Sequence, residues 1–320
     1  MTLQQQIRRN RLRSGIVIVG FVVLLGVVAG LIGAALDLRL GVVALLGAGL
    51  YAIFAMISSR SMVGRMTHAV ELEPDQLRPL RRLVENVSIA AGLPTTPEVR
   101  IVDDPSPNAF AAGLRPQTSY LGVTTGLLRV MPKRELEAVL AHEISHVRNR
   151  DTYLMTMATI FAGVIALIAD IGFRMLLYGG GRSRRGGGAL VAVLAVVGLL
   201  LAPYAALLLR MSLSRRREFL ADAGSAELLN DPEAMALALR RLQLDTTTVA
   251  YADASVAHLW VESPTSRVES ERRGVLALTS LFDTHPPLEA RIAALEESGG
   301  FQLPEQLPGD EPFAVDLGLV

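Results

Sequence analysis

Cysteine is absent from the 320 residues, which excludes disulfide bonds and thiolate metal ligands. Any metal bound by this chain must therefore be held by histidine and carboxylate side chains. Charged residues are also scarce, at 19%, and the formal net charge is zero, so the overall charge gives no reason to expect nucleic acid binding. Aromatic residues contribute only 5%. The apolar excess, 51% of the chain with a mean hydropathy of +0.38, is therefore largely aliphatic, as in membrane helices.

Long apolar runs predict about four membrane-spanning helices. The first run carries no charge and is about one bilayer long. A cleaved signal peptide is the alternative, but its apolar region would be shorter, about 7–15 residues. A "DLRL" turn follows, so the first two runs predict a hairpin, and a basic "GGGRSRRGGG" loop separates the last two. The runs are 15–36, 41–58, 153–178 and 189–211.

The third run contains one acid, Asp170, and one base, Arg174, four residues apart. This spacing predicts an ion pair on one helix face, and we expect its role to be structural or interfacial.

Arginine placement predicts the membrane topology, since cytoplasmic flanks are richer in basic residues. The arginines near the ends of the runs fall into two sets, one for each side of the membrane. We expect the side that carries the larger set, the N-terminus and both polar segments to be cytoplasmic. The basic Gly-rich loop conflicts with this assignment, and the conflict weakens if the last two runs form a shallow hairpin. The larger set is Arg8, Arg9, Arg11, Arg13, Arg60, Arg65, Arg210, Arg215, Arg216 and Arg217; the smaller is Arg39, Arg182, Arg184 and Arg185.

The polar segment between the hairpins predicts a small β-sheet followed by an amphipathic helix. A helix is expected over 77–91, and Gly92 and Pro94 end it. The pattern then predicts strands at 97–104, 108–114 and 118–128 and a helix over 132–150.

The stretch "LAHEISHVRNRD" within that last helix contains an HExxH motif. On a helix, His142 and His146 project from one face, so both imidazoles can reach one zinc ion. Glu143 lies beside them, where it can take a proton from an activated water molecule and pass it to the leaving amine. The alternative is a pair of exposed histidines on an amphipathic helix.

The third metal ligand is not local. Asn149 and Thr152 occupy the positions where a metzincin carries glycine and histidine, which excludes that class. A carboxylate on a second helix is the remaining source. In "SRRREFLADAGSAELL", Glu218 can bind zinc while Asp222, four residues on, accepts a hydrogen bond from a ligating histidine. The spacing leaves open that Glu218 is a solvated charge paired with a nearby arginine.

The combination of "HEISH", two apolar runs, "RREFLAD" and "THPPLEARI" resembles the HtpX family of membrane zinc metalloproteases, relatives of the CAAX prenyl proteases. The similarity extends from the N-terminal hairpin to about Leu295. It implies that His142, His146 and Glu218 bind one zinc ion and that Glu143 is the catalytic base. With about four spans rather than a larger chamber, a prenylated substrate is not expected.

The resemblance also implies roles for residues outside the two helices. Asp222 matches an aspartate that orients a ligand. The segment "NAFAAG", with Asn108, Ala109 and Phe110, would form an edge strand that pairs with extended substrate; the alternative for Asn108 is that it only caps a turn. His285 matches a histidine thought to stabilise the oxyanion, with an ordinary exposed residue as the alternative. A pairing of Arg291 with an acid near the site is left open and is not adopted as a prediction, and the remaining histidines, His68 and His258, are expected to be non-ligands.

These expectations give a mainly α-helical fold with a small β-sheet, integral to the membrane, carrying a zincin-type, gluzincin-like catalytic domain in two parts. Residues 257–281 form either a flap over the site or a surface insertion, and the acidic tail is expected to be weakly ordered. The expected boundaries are 1–58 for the first hairpin, 59–152 and 212–298 for the catalytic domain, 153–211 for the second hairpin, and 299–320 for the tail.

The predicted function is that of a zinc-dependent endopeptidase of the cell inner membrane, with its active site in the cytoplasm. Its substrates are polypeptides, expected to be membrane or misfolded proteins, and its oligomeric state is left open. A non-catalytic zinc-binding scaffold and, less favoured, a small transporter are the alternatives. The donor set suits zinc, although manganese or cobalt can also bind such ligands.

Overall fold

The computed structural model describes residues 3–71, 77–178, 189–245, 247 and 286–313. The chain divides into two compact units, each built from segments distant in sequence. The apolar unit comprises Arg9–Ser58 and Leu154–Leu213, and the polar unit comprises Met1–Arg8, Ser59–Tyr153 and Ser214–Val320. The breaks after residues 58, 153 and 213 compare with expected boundaries after 58, 152 and 211.

Helices dominate the described residues, with one small sheet between the third and fourth of them. The helices are α1 (Leu3–Ala35), α2 (Leu38–Met66), α3 (Arg78–Ala90), α4 (Thr125–Val130), α5 (Lys133–Asn149), α6 (Asp151–Tyr178), α7 (Ala189–Leu229), α8 (Pro232–Leu244) and α9 (Leu288–Gly299). The strands are β1 (Glu98–Val102), β2 (Ala109–Ala112) and β3 (Tyr120–Thr124).

The four predicted apolar runs are helical, and three of them are confirmed as long enough to span a bilayer. Among the described residues, three helical stretches are long and apolar enough to cross a bilayer: Gly15–Ala35, Leu38–Ser58 and Asp151–Leu176. The fourth run is also helical, and its described apolar part, Val193–Leu209, is shorter than a full span. The predicted pair between Asp170 and Arg174 is confirmed, with Nε of Arg174 donating to Oδ2 of Asp170 at 2.8 Å.

The first two helices form the predicted hairpin. Asp37 stabilises the turn, because its carboxylate accepts a hydrogen bond of 2.7 Å from the backbone N–H of Arg39. A Cβ at Gly41 would lie 2.6 Å from the carbonyl oxygen of Ala29, so glycine lets α2 approach α1 this closely.

The sheet of the polar unit has the strand order β1-β3-β2, with β3 parallel to β1 and antiparallel to β2. Val70 pairs with Ile101 at the outer side of β1, which leaves β2 as the edge strand of the described sheet. The predicted strand over 118–128 is wrong in its second half. Thr124 Oγ1 accepts a hydrogen bond from the N–H of Leu127 at 3.1 Å and caps α4, so the apolar residues that follow are helical.

The predicted motif helix is confirmed as α5, which lies in the core of the polar unit. It packs against β2, α3 and α8, and most of its residues are buried. Arg150 ends it in the left-handed conformation (φ 60°), and α6 begins at the next residue. The motif is thus fixed inside a core while its C-terminal end leads directly into an apolar span.

The C-terminal segment returns to α5 through α8 and α9. Arg241 of α8 makes two hydrogen bonds, of 2.6 and 2.8 Å, to the buried carboxylate of Glu135 at the start of α5. Residues 300–313, part of the segment expected to be weakly ordered, make defined contacts: the N–H of Phe313 donates to the carbonyl of Met131 at 2.8 Å. Residues 314–320 lie outside the described residues.

Candidate metal centre

The centre is formed where α5 and α7 cross. Small residues allow the close approach: Ser225 Oγ donates a hydrogen bond of 2.7 Å to the carbonyl of Ala138, and a Cβ on Gly224 would lie 2.6 Å from Ser145 Oγ. Residues 218, 222 and 225 share one helical face, so this contact turns Glu218 and Asp222 toward α5.

Three side chains converge on one point. The Nε2 atoms of His142 and His146 are 3.2 Å apart. The carboxylate of Glu218 lies 3.7 Å from Nε2 of His142 and 3.5 Å from Nε2 of His146. In the described part of the chain, these three residues form the group of donors that could hold a metal ion, and exposed His68 is not part of it.

The spacing of these donors fits zinc. Two ligand atoms about 2.0–2.2 Å from a tetrahedral zinc ion lie roughly 3.3–3.6 Å apart. The three measured separations fall within about 0.1 Å of that range, and two imidazoles with one carboxylate leave one coordination position open, as in catalytic rather than structural zinc sites.

Asp222 orients the first histidine, and Arg291 in turn holds Asp222. The carboxylate of Asp222 lies 2.9 Å from Nδ1 of His142, on the side of the ring away from Glu218. Arg291 of α9, fully buried, donates two hydrogen bonds to that carboxylate at 2.8 and 2.6 Å, and its Nη1 lies 3.3 Å from Glu218. A bidentate guanidinium fixes the plane of a carboxylate, so α9 completes the centre from a third part of the chain.

The electrostatics of the centre favour a cation between the carboxylates. Burial lowers the pKa of His142, but hydrogen bonds to Asp222 and Glu218 outweigh it and raise that pKa to about 9. Burial opposes ionisation of Asp222 as well, yet Arg291 and His142 bring the pKa of Asp222 below its ordinary value. The arrangement therefore stabilises positive charge at the imidazoles, from either a proton or a metal ion.

Glu143 lies next to the ligands on α5 and is 2% exposed. Burial raises the pKa of Glu143, while the neighbouring imidazoles of His146 and His142 partly oppose this rise. A carboxylate with a raised pKa is a stronger proton acceptor, which is the property required of a general base near neutral pH.

The predicted substrate segment lies on β2, the edge strand that packs against α5. Asn108 immediately precedes β2: its N–H donates to Thr124 Oγ1 at 2.8 Å, and its own Oδ1 accepts from the N–H of Ala109 at 3.0 Å. The side chains of Ala109 and Phe110 are buried. Ala109 and Phe110 are 1% and 0% exposed over the whole residue, so their backbone groups are covered as well.

The sequence-based site is only partly described. His285, His258 and the whole of 257–281 lie outside the described residues. Conversely, Asp151, Arg217 and Arg291 are buried near the ligands; no role in the site is predicted for the first two, and for Arg291 only a pairing with an acid near the site is left open. For Arg291, the signal in the sequence is an arginine between Leu288 and Leu295 on one face of α9. Arg217 had been counted among the cations flanking the membrane.

The chain is similar in sequence to known proteases. Residues 74–298 match peptidase family M48. A protease HtpX homolog of Ligilactobacillus salivarius is 37% identical over 302 residues, covering 92% of this chain and 99% of the relative, and one of Lactobacillus helveticus is 38% identical over 306 residues with the same coverage. The crystal structure of S. mikatae Ste24p aligns with a TM-score of 0.41 and 19% identity, covering 67% of this chain and 49% of that chain. The family match spans both ligand helices and α9.

Proposed function

This chain belongs to peptidase family M48 and is a membrane zinc metalloendopeptidase, and on that premise we propose that His142, His146 and Glu218 hold its zinc. The observation that carries this proposal is the convergence of the two Nε2 atoms and the Glu218 carboxylate within 4.8 Å of one another. No cysteine competes for the metal, since the chain contains none.

Glu143 is the proton carrier in this proposal. Bound zinc supplies Lewis-acid activation of a water molecule. Glu143 accepts the proton released when water adds to the scissile carbonyl, and returns it to the departing nitrogen as the C–N bond breaks. Its buried position and raised pKa support this role. Asp222 and Arg291 hold His142 with Nε2 facing the metal.

Backbone pairing along β2 is the proposed mode of substrate binding. The edge position of β2 and its packing on α5 support an extended peptide as an added strand, close to the catalytic helix. Because Ala109 and Phe110 are covered in this structure, a substrate strand would have to uncover the backbone groups of Asn108, Ala109 and Phe110 before pairing with them, and His285 would stabilise the oxyanion. A set of N-methylated peptide substrates tests this mode, since blocking alternate amide groups should raise KM in a two-residue pattern.

Membrane proteins and misfolded chains are the proposed physiological substrates, in a quality-control or stress role at the cell inner membrane. The apolar helices α6 and α7 support this assignment, because each is continuous with residues of the metal centre: Asp151 begins α6, and α7 carries Glu218. We further propose that the N-terminus and the active site face the cytoplasm.

Zinc content and casein cleavage of the detergent-purified protein test the catalytic proposal. The Glu218→Ala protein should lose both zinc and activity, while Glu143→Gln should keep about one zinc per chain and lose turnover. Glu137→Gln on the same helix is the matched control and should retain both. Full zinc and activity in Glu218→Ala would place the third ligand elsewhere, and proteolysis by Glu143→Gln would reject the proposed base.

The absence of cysteine makes a topology test direct, since a single introduced cysteine is the only thiol. Ser183→Cys in the Gly-rich loop and Asp310→Cys in the C-terminal segment are each exposed to a membrane-impermeant maleimide on intact cells. The proposed orientation predicts labelling of Ser183→Cys only. Labelling of Asp310→Cys on intact cells would place the active site outside.

A further inference from the structure

The second histidine has a buried charged pair of its own. Nδ1 of His146 lies 3.2 Å from Oδ2 of Asp151. The other oxygen of Asp151, Oδ1, lies 3.0 Å from Nη1 of Arg217, which also donates to the backbone carbonyl of Asp151 at 3.3 Å. Asp151 is 3% and Arg217 1% exposed, so this contact is shielded from solvent.

The pair repeats the chemistry found at His142. There, Asp222 accepts from Nδ1 and Arg291 holds Asp222, with Nε2 directed at the metal position. The two rings thus each place Nδ1 against a carboxylate, and their Nε2 atoms face each other at 3.2 Å.

We propose that Asp151 and Arg217 are positioning residues for His146. Asp151 accepts the Nδ1–H, which leaves Nε2 unprotonated and directed at the zinc position. Arg217 holds the carboxylate in place and compensates its charge, which burial would otherwise penalise. The inference rests on the proposed zinc site. It adds Asp151 at the start of α6 and Arg217 of α7 to the residues that position the ligands.

The positions of the two residues in the chain show why this pair matters. Arg150 adopts the left-handed conformation and changes the direction of the chain after α5. The carboxylate of Asp151 therefore lies beside His146, which is five residues earlier in the sequence. Arg217 directly precedes Glu218 on α7. One contact therefore ties the end of α5 and the start of α6 to the part of α7 that supplies the third ligand.

A merely structural salt bridge is the competing explanation, and the chain offers a matched control for it. Glu135 on α5 is 1% exposed and is held by Arg241 through two hydrogen bonds, yet these residues are absent from the metal-binding group. Glu135→Gln and Asp151→Asn each remove one buried carboxylate charge from a guanidinium partner. Only Asp151→Asn changes a residue that contacts a histidine of the metal centre.

Zinc dissociation constants, measured by chelator competition on the full-length protein in detergent, decide between these explanations. Asp151→Asn should raise the constant about 10–100-fold and change the visible spectrum of the cobalt-substituted protein, while Glu135→Gln should change the constant less than about twofold. Asp151→Glu, which retains the charge, should recover part of the affinity. Wild-type zinc affinity and an unchanged cobalt spectrum in Asp151→Asn would overturn the inference, whatever the loss in stability.

A measurement on the wild type removes dependence on the folding of any variant. With ¹⁵N-labelled histidine, the zinc-loaded protein should show two metal-bound rings, both coordinated through Nε2 and protonated at Nδ1. A ring coordinated through Nδ1 would contradict the proposal. Failure of the wild type to bind zinc at all would instead reject the zinc site itself, so the two failures are distinguishable.

Discussion

Replacing Arg291 with methionine should destabilise the protein in a strongly pH-dependent way. Methionine keeps most of the apolar stem of arginine and removes the guanidinium. Arg291 is fully buried and makes two hydrogen bonds to Asp222, which is 2% exposed. In Arg291→Met, Asp222 keeps only Nδ1 of His142, 2.9 Å away, as a charged partner, so it must either remain ionised in a buried position beside that one imidazole or take up a proton.

Protonation of Asp222 limits the loss of folding free energy in Arg291→Met and sets its magnitude. An aspartate has an ordinary pKa of about 3.9, and each pKa unit corresponds to about 1.36 kcal/mol. Keeping Asp222 protonated at pH 7 therefore costs roughly 4 kcal/mol, within the range of about 3–5 kcal/mol for breaking a buried ion pair. At pH 5 the same calculation gives roughly 1.5 kcal/mol.

The sign of the effect follows from the two pKa values of Asp222. In the wild type, Arg291 lowers the folded-state pKa, so the pair stabilises the protein above the unfolded pKa and loses this stabilisation as the pH falls through the folded value. In Arg291→Met we expect the folded-state pKa of Asp222 to lie above the unfolded one, because burial raises it and only the contact with His142 still lowers it. The loss of stability should therefore grow as the pH rises from about 4 toward 7.

Thermal unfolding in detergent at pH 5 and pH 7, followed by circular dichroism in the presence of a chelator, measures this difference. At about 2–4 °C per kcal/mol, the Tm should fall by about 8–16 °C at pH 7 and about 3–6 °C at pH 5. Arg134→Met is the control, because Arg134 is half exposed and its pair with Asp231 is worth only about 0–1 kcal/mol. Equal Tm losses for the two variants, or the same loss at both pH values, would refute the reasoning.

Three further outcomes are expected. Gly224→Leu should weaken zinc binding at least about tenfold in a chelator competition, because its side chain would push α7 away from Ser145 on α5; unchanged affinity would show that the helix crossing does not set the ligand positions. Gly122→Ala should lower the Tm by several degrees, since the new Cβ would overlap the ring of Phe110, and an unchanged Tm would show that the ring can move at no cost. Zinc affinity should rise about tenfold per pH unit between pH 6 and 8, because the pKa of His142 is raised to about 9 and zinc must displace that proton; a flat profile would exclude this proton as the competitor.

The sequence predicted the parts of the site whose geometry is local. The spacing of His142 and His146 is enough to place them on one helical face. Glu218 was predicted as a ligand from its position on a helix and from the family resemblance. In the structure it lies beside the histidines, although about seventy positions of sequence separate them. Local periodicity carries no information on such pairing. The contact of Arg291 with His142, between residues 149 positions apart, could not have been predicted in this way.

The helix in place of the second half of a predicted strand and the unpredicted burial of Arg217 have physical causes of the same kind. The apolar residues after Thr124 fit a buried strand as well as a helix, and the capping hydrogen bond to Leu127 decides for α4. Arg217 follows other arginines at the end of an apolar run, so it was counted as a cation flanking the membrane. Its contact with Asp151 explains why this one is buried instead.

The charge balance of the centre shows why it should select a divalent cation. When both imidazoles are neutral, the centre contains four buried carboxylates and two buried guanidiniums. The guanidiniums offset half of the negative charge, which leaves two negative charges in a volume shielded from water. The raised pKa of His142 is the response to this imbalance, since a proton supplies part of the missing positive charge. A monovalent ion would compensate half of it, and the hard cations Ca²⁺ and Mg²⁺ prefer oxygen to imidazole nitrogen, so the donor set and the charge together favour zinc. The groups counted are Glu143, Asp151, Glu218 and Asp222 against Arg217 and Arg291.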